Sequence, residues 1–194
     1  NDTAGNTATN KTTVLSVGET IGIEVGPSVL SWSSLSPGMT NQTAANDPLV
    51  LNNTGNKYIT LGNITVNATN LRGETNPNLS IWAGNITINV STGGSPPAEC
   101  DGPNIMTAGN YLNITGGYLE ENNYTVNNGT TGQEQFYVCF RKIGAELTAQ
   151  AYSTQNESAW TIRILVVGFG LAAKKKKKRN HKSKIENLTI PSAI

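Results

Sequence analysis

Two stretches set the pattern of the chain. In NITVNAT (63–69), Ile64, Val66 and Ala68 alternate with Asn63, Thr65, Asn67 and Thr69. In NITINVS (85–91), Ile86, Ile88 and Val90 alternate with Asn85, Thr87, Asn89 and Ser91. A period of two places one face on a core and the other toward solvent. Shorter runs of the same kind mark strands at 12–17, 20–25, 28–34, 48–52, 57–69, 79–90, 111–115, 124–127, 134–142, 146–152 and 160–167. In the last of these, Trp160, Ile162, Ile164 and Val166 share a face and Arg163 takes the other. Trp32, Trp82 and Trp160 all fall inside strand patterns, so all three are expected in the core.

Turn chemistry separates the runs: SPGM (36–39), NNTGN (52–56), STGGSPP (91–97) and NNGTTG (127–132). No stretch of about twelve residues carries a 3.6-residue period with caps. Short strands at this spacing predict an all-β fold, an antiparallel β-sandwich of jelly-roll-like type, with extended N- and C-terminal segments. The expected organisation is an arm at 1–18, a sandwich body at 19–173 and a basic extension at 174–194.

Charge changes the picture at one place. Residues 1–173 hold 6 Lys/Arg against 12 Asp/Glu, a balance of −6, while 174–194 hold 8 against 1, a balance of +7. The positive charge is concentrated in Lys174, Lys175, Lys176, Lys177, Lys178 and Arg179. A basic segment on an acidic body can pair with another copy of that body, with a membrane or with a polyanion. The uncharged run Ile164–Ala173 would span only about 15 Å as a helix, half of a bilayer's hydrocarbon core, so a membrane anchor is not expected. Beyond the lysines, Ile185, Leu188, Ile190 and Ile194 are too apolar for a solvated tail, and Ile190 joins the residues expected at assembly contacts.

The strongest motif is the glycosylation sequon, Asn-x-Ser/Thr. It occurs 14 times, at Asn1, Asn10, Asn41, Asn52, Asn63, Asn67, Asn78, Asn85, Asn89, Asn113, Asn123, Asn128, Asn156 and Asn187. With 25 Asn and 37 Ser/Thr in 194 positions, random order would give about 5. Alternating Asn/Thr faces create sequons without any selection for sugar. Asn is nevertheless a poor strand former beside Thr or Tyr, so its repeated outward use points to N-linked glycans. The sequence begins at Asn1, which fits a secreted protein whose signal peptide has been cleaved. Export makes a Cys100–Cys139 disulfide the expected state of the two cysteines, closing a loop of about 40 residues. It also argues against a nucleic-acid partner for the basic run.

Chemistry is sparse. The single histidine, His181, lies in the basic segment, which leaves a Ser-His-Asp or Cys-His system without its base. Glu120 and Glu121 are adjacent, so on a strand they face opposite ways. Glu99 and Asp101 flank Cys100 and offer calcium ligands at a turn, yet no EF-hand spacing accompanies them; a disulfide-stapled loop is the expectation there. No catalytic residue, metal or cofactor is expected, apart from glycan.

Residues 19–69 read ETIGIEVGPSVLSWSSLSPGMTNQTAANDPLVLNNTGNKYITLGNITVNAT. A strand, then SLSPG, an apolar strand ending in NNTGN and a long alternating strand: this order resembles the TasA/camelysin group of filament proteins, which includes archaeal bundling pilins. AELTAQA (145–151) is a weaker echo of it. The resemblance implies an archaeal-type cell-surface filament whose subunits, all copies of one chain, join head-to-tail by donor-strand complementation. On this sequence the donor falls within Asn1–Val17, with Val14, Leu15 and Val17 as its apolar teeth. Two other functions remain open: a surface-layer or envelope subunit, and a secreted carbohydrate- or partner-binding module.

Overall fold

The computed structural model describes residues 18–90, 100, 102–120 and 132–165, and the backbone of 185–190 and 192–193. The strands are β1 (Ile23–Gly26), β2 (Leu30–Ser31), β3 (Thr40–Thr43), β4 (Leu49–Asn53), β5 (Ile64–Asn67), β6 (Leu71–Gly73), β7 (Ser80–Ile81), β8 (Ile86–Val90), β9 (Tyr111–Asn113), β10 (Gln133–Lys142), β11 (Tyr152–Ser153), β12 (Trp160–Leu165), β13 (Ile185–Ile190) and β14 (Ser192–Ala193). One 3₁₀ turn, Ala83–Asn85, precedes β8. The fold is all-β and sandwich-like, as the alternation predicts.

Three sheets build it. The first runs β1-β4-β10-β3, with β8 on the other side of β10. The second runs β2-β14-β11-β6-β7 and the third β13-β12-β5-β9. All pairings are antiparallel except β14 with β2. The core is the inward face of these strands: Leu49 and Leu51, Ile64 and Val66, Ile86 and Ile88, Phe136, Val138 and Phe140, and Trp160, Ile162 and Ile164 are all buried. Burying side chains of this size is worth about 1.5–3 kcal/mol each relative to exposure.

β10 is the organising strand. Its first half pairs with β4, its second half with β3 on the same side, and its centre with β8 on the other. QEQFYVCFRK is rich in aromatic and β-branched residues, which suits a strand covered on both faces. Trp32 packs on Phe140 with ring centroids 4.6 Å apart, and its indole N–H donates to the Gln42 carbonyl at 3.2 Å.

The structure corrects several expectations. Trp82 is 61% exposed, whereas Trp32 and Trp160 are buried. The 3₁₀ turn explains this: it breaks the alternation at 83–85, so Ile81 and Ala83 are inward before it and Ile86 and Ile88 after it. Trp82 belongs to the outward parity. The supposedly solvated faces are also partly covered. Thr65, Thr87 and Asn89 are buried: the Thr65 hydroxyl donates to the Arg163 carbonyl, the Thr87 hydroxyl donates to the Cys100 carbonyl and Gly102 lies against Asn89, while residues 104–106 pair along the edge of β8, with the Ile88 N–H donating to the Asn104 carbonyl and the Met106 N–H to that of Ile86. Most of 146–152 is turn, with only β11 at its end. The strands expected at 12–17 and 124–127, and Val166, lie outside the described residues. β3 (TNQT) and β6 (LRG) carry too little apolar alternation to be seen in sequence.

The largest difference is at the far end of the sequence. β13 lies antiparallel against β12, from Trp160↔Ile190 to Leu165↔Ile185. β14 sits between β2 and β11. Residues 185–193 thus complete two sheets of the body and do not form a separate extension. The run Lys174–Arg179, itself outside the described residues, falls in the sequence joining β12 to β13.

Cys100 and Cys139 form the expected disulfide, with Cα atoms 5.3 Å apart. It fastens the 100–106 segment to the centre of β10, and the Thr87 hydroxyl donates to the Cys100 carbonyl at 2.7 Å beside it. Replacing both cysteines by serine is expected to cost about 3–4 kcal/mol, from the loop-closure entropy of a 39-residue separation. Denaturant unfolding of oxidised wild type against the double variant measures it.

Candidate functional site

The candidate site is the set of sheet ends. An end strand presents backbone N–H and C=O groups to any strand that can pair with them. Among the described residues the end strands are β1, β3, β8, β2, β7, β13 and β9, and the outer side of β8 is taken up by residues 104–106. β7 is two residues long. β2 is equally short, and its outer side is covered: the Ser31 N–H donates to Asn46 Oδ1, Asn46 Nδ2 donates to the Val29 carbonyl and the Ala45 N–H donates to the Ser31 carbonyl. Four longer ends remain: β1, β3, β9 and β13.

β1 is fixed from its far side by the NNTGN turn. The buried Asn53 side chain donates to the Lys57 and Glu120 carbonyls, both at 2.8 Å, and accepts the Gly55 N–H at 3.0 Å. Asn56 then clamps the approach to β1, accepting the Thr20 N–H at 2.7 Å and donating to the Gly18 carbonyl at 3.0 Å. A Cβ on Gly55 would collide with the Thr20 carbonyl and the Gly22 backbone, so glycine is required for this close approach. Residues 18–22 therefore continue the line of β1 against 54–56. The Thr54 N–H donates to the Gly22 carbonyl, so the even-numbered residues of β1 face β4. By the alternation of an antiparallel ladder, Ile23 and Val25 direct their N–H and C=O groups to the outer edge. Their side chains pack half-buried against the core.

The other three long ends each contain a sequon. Asn41 lies in β3, Asn113 in β9 and Asn187 in β13. The side chains of Asn41 and Asn113 are exposed. Asn41 also holds φ at 55°, a left-handed conformation that Asn tolerates better than most residues and that distorts an edge. At β9, the Arg163 guanidinium lies 3.6 Å from the Tyr111 ring centroid.

Elsewhere, Asn78 and Asn156 are exposed, and Asn52, Asn63, Asn67 and Asn85 are half-buried. Asn89 is only 8% exposed, which makes it the least accessible described sequon in the folded chain. Asn1, Asn10, Asn123 and Asn128 lie outside the described residues, as do Val14, Leu15, Val17, Lys174, Lys175, Lys176, Lys177, Lys178, Arg179, Glu99 and Asp101. Ile190 stands opposite Trp160 in the β12–β13 register.

Two carboxyl groups have shifted titration that sequence reading missed. Burial raises Asp47 to about 7, against the pull of backbone hydrogen bonds at Val138 and Ala44. Its carboxylate receives the Val138 N–H at 3.2 and 3.3 Å. It therefore fills the gap on β10 between the end of β3 and the start of β4. Glu134 is likewise raised by burial and accepts the Tyr118 and Gln135 N–H groups. Both raised carboxyls act as caps for backbone donors, so each has a structural use. Asp47 lies in AAND, between β3 and the strand expected at 48–52, a stretch to which the sequence pattern assigned nothing.

A groove of about 590 Å³ has Trp32, Leu35, Ile81, Ile143, Leu147 and Tyr152 in its wall, and Ser34, Ser36, Thr148 and Gln150 at its polar parts. Its lining holds no charged side chain. Among the described residues no group of three or more His, Cys, Asp or Glu is placed to hold a metal ion, and no helix is long and apolar enough to cross a membrane. Comparison with protein-family models, with curated proteins and with solved structures finds no match.

Two consequences are measurable. Asn53→Ala removes a buried side chain that donates to the Lys57 and Glu120 carbonyls and accepts the Gly55 N–H, and is expected to cost about 2–3 kcal/mol, read by thermal or denaturant unfolding. Asp47 holds its proton in the fold up to about 7, against 3.8 when unfolded. The unfolded chain thus binds fewer protons between those values, and stability from this group falls as pH rises through that window. Asp47→Asn should flatten that fall in a series of melting temperatures, while an unchanged slope would remove Asp47 as its source.

Proposed function

We propose that the chain is a non-enzymatic structural subunit of a glycosylated extracellular filament, secreted and assembled head-to-tail from copies of itself by strand complementation. The observation that carries this reading is the bare edge of β1. It is the one long end strand with no sequon, and among the described residues nothing pairs with its outer side. Its outward backbone groups at Ile23 and Val25 offer a neighbour's strand a ready ladder, the β-augmentation mode of recognition.

The donor is the arm that precedes it. Leu15 and Val17 are two positions apart, the spacing that puts both on one face of a strand. Ile23 and Val25 have the same spacing on the acceptor, so an added strand would continue the inward face. Donation of this kind passes from copy to copy without closing, which yields a filament and not a ring. The use of both raised carboxyls as backbone caps fits a structural role. The acidic body and the basic run between β12 and β13 add an attraction between copies.

Leu15→Asp with Val17→Asp places two charges on the donor face. This variant is expected to remain a folded monomer with an unchanged melting temperature and to form no filaments by electron microscopy. Filaments of wild-type form from it would contradict the proposal.

A further inference from the structure

We infer that the sequons in β3, β9 and β13 are edge guards: glycans at Asn41, Asn113 and Asn187 block strand addition there and so confine pairing between copies to β1. This rests on the filament reading above.

A sandwich with several open ends has several ways to stick to itself. Strand pairing is not sequence-specific in its backbone ladder, so a chain that polymerises through one edge must disable the others. Proteins commonly do this with charge, proline, a bulge or a very short strand. Here the two-residue ends β2 and β7 use shortness. The three long ends other than β1 use none of these fully. β3 has the left-handed kink at Asn41 but an exposed, uncharged TNQT sequence. β9 is the uncharged YLN. β13 has six residues and one charge, Glu186. Each holds a sequon within its own strand, and β1, at IEVG, does not.

A glycan is a bulky, hydrated group that does not fit beside a strand at the roughly 4.8 Å spacing of a ladder. One attached within an end strand of three to six residues therefore obstructs docking along it, and holds laterally approaching copies apart. The face-directed sequons on interior strands β4 and β5, at Asn52 and Asn67, add bulk to the surface without guarding an edge.

The test removes the hydroxyl residue of each sequon, which leaves every Asn, and the backbone at Asn41, in place. The guard variant combines Thr43→Ala, Thr115→Ala and Thr189→Ala. A control combines Ser80→Ala and Ser158→Ala, which abolish the sequons at Asn78 and Asn156 away from these strands. Both are produced in a glycosylating host, and glycopeptide mass spectrometry reads occupancy. The guard variant is expected to give laterally fused sheets or thick bundles and a several-fold rise in light scattering, while the control matches wild type. Single filaments of ordinary width from the guard variant overturn the inference, as do unoccupied Asn41, Asn113 and Asn187 in wild type. Either result leaves the filament reading standing. If wild type remains monomeric at all concentrations, the filament reading fails by itself. The guard variant must then still associate where the control does not, or the guard role falls with it.

Discussion

An unpaired backbone N–H or C=O at the end of a sheet is the interaction around which this molecule is arranged. Inside the sandwich nearly every such group is satisfied by a neighbouring strand or a side chain. At its rim the options are water, a covering loop or another chain. β2 is covered by Ala45 and Asn46. β10 would be left with a gap between β3 and β4, and there a carboxylate serves in place of a strand. Asp47 accepts the Val138 N–H even though burial raises its titration to about 7. That a buried acid is used for this shows how costly an orphaned donor would be. β1 alone among the longer ends is left without cover or sequon.

What holds β1 in that position is a short chain of specific contacts. The disulfide and the 104–106 segment secure β8 to β10. β10 secures β4. The turn after β4 is locked by Asn53, and Asn56 and Gly55 draw residues 18–22 into line. Packing and hydrogen bonding thus run from the middle of the core to the edge proposed for assembly. A defect at Asn53 or Gly55 would be felt at β1 before it is felt in the core.

Sequence legibility followed the same physics. Strands with an apolar face of Val, Ile, Leu or aromatic residues were readable: β4, β5, β8, β10 and β12 fall where the alternation placed them. Polar end strands were not, since β3 contributes TNQT and takes its place from β10 alone. Trp82 was misplaced because a 3₁₀ turn of three residues shifts the parity, and nothing in WAGN advertises that shift. Thr87 and Asn89 look solvent-facing until Cys100 and Gly102 are laid over them. The pairing of β13 with β12 depends on contacts across 20 to 30 positions of sequence, from Leu165↔Ile185 to Trp160↔Ile190, which periodicity cannot register. Asp47 became visible only once its carboxylate was seen against Val138. Sequons were legible as motifs. That one falls in each of β3, β9 and β13 needed the sheet order.

Amide hydrogen exchange at Ile23 and Val25 tests assembly through β1 most directly. Their N–H groups point to the outer edge of β1, away from β4. They should exchange quickly in the monomer and become strongly protected on assembly, while the Thr54 N–H, already bonded to Gly22, changes little. Protection that appears in assembled material at β3, β9 or β13, with Ile23 and Val25 still exchanging freely, would contradict it.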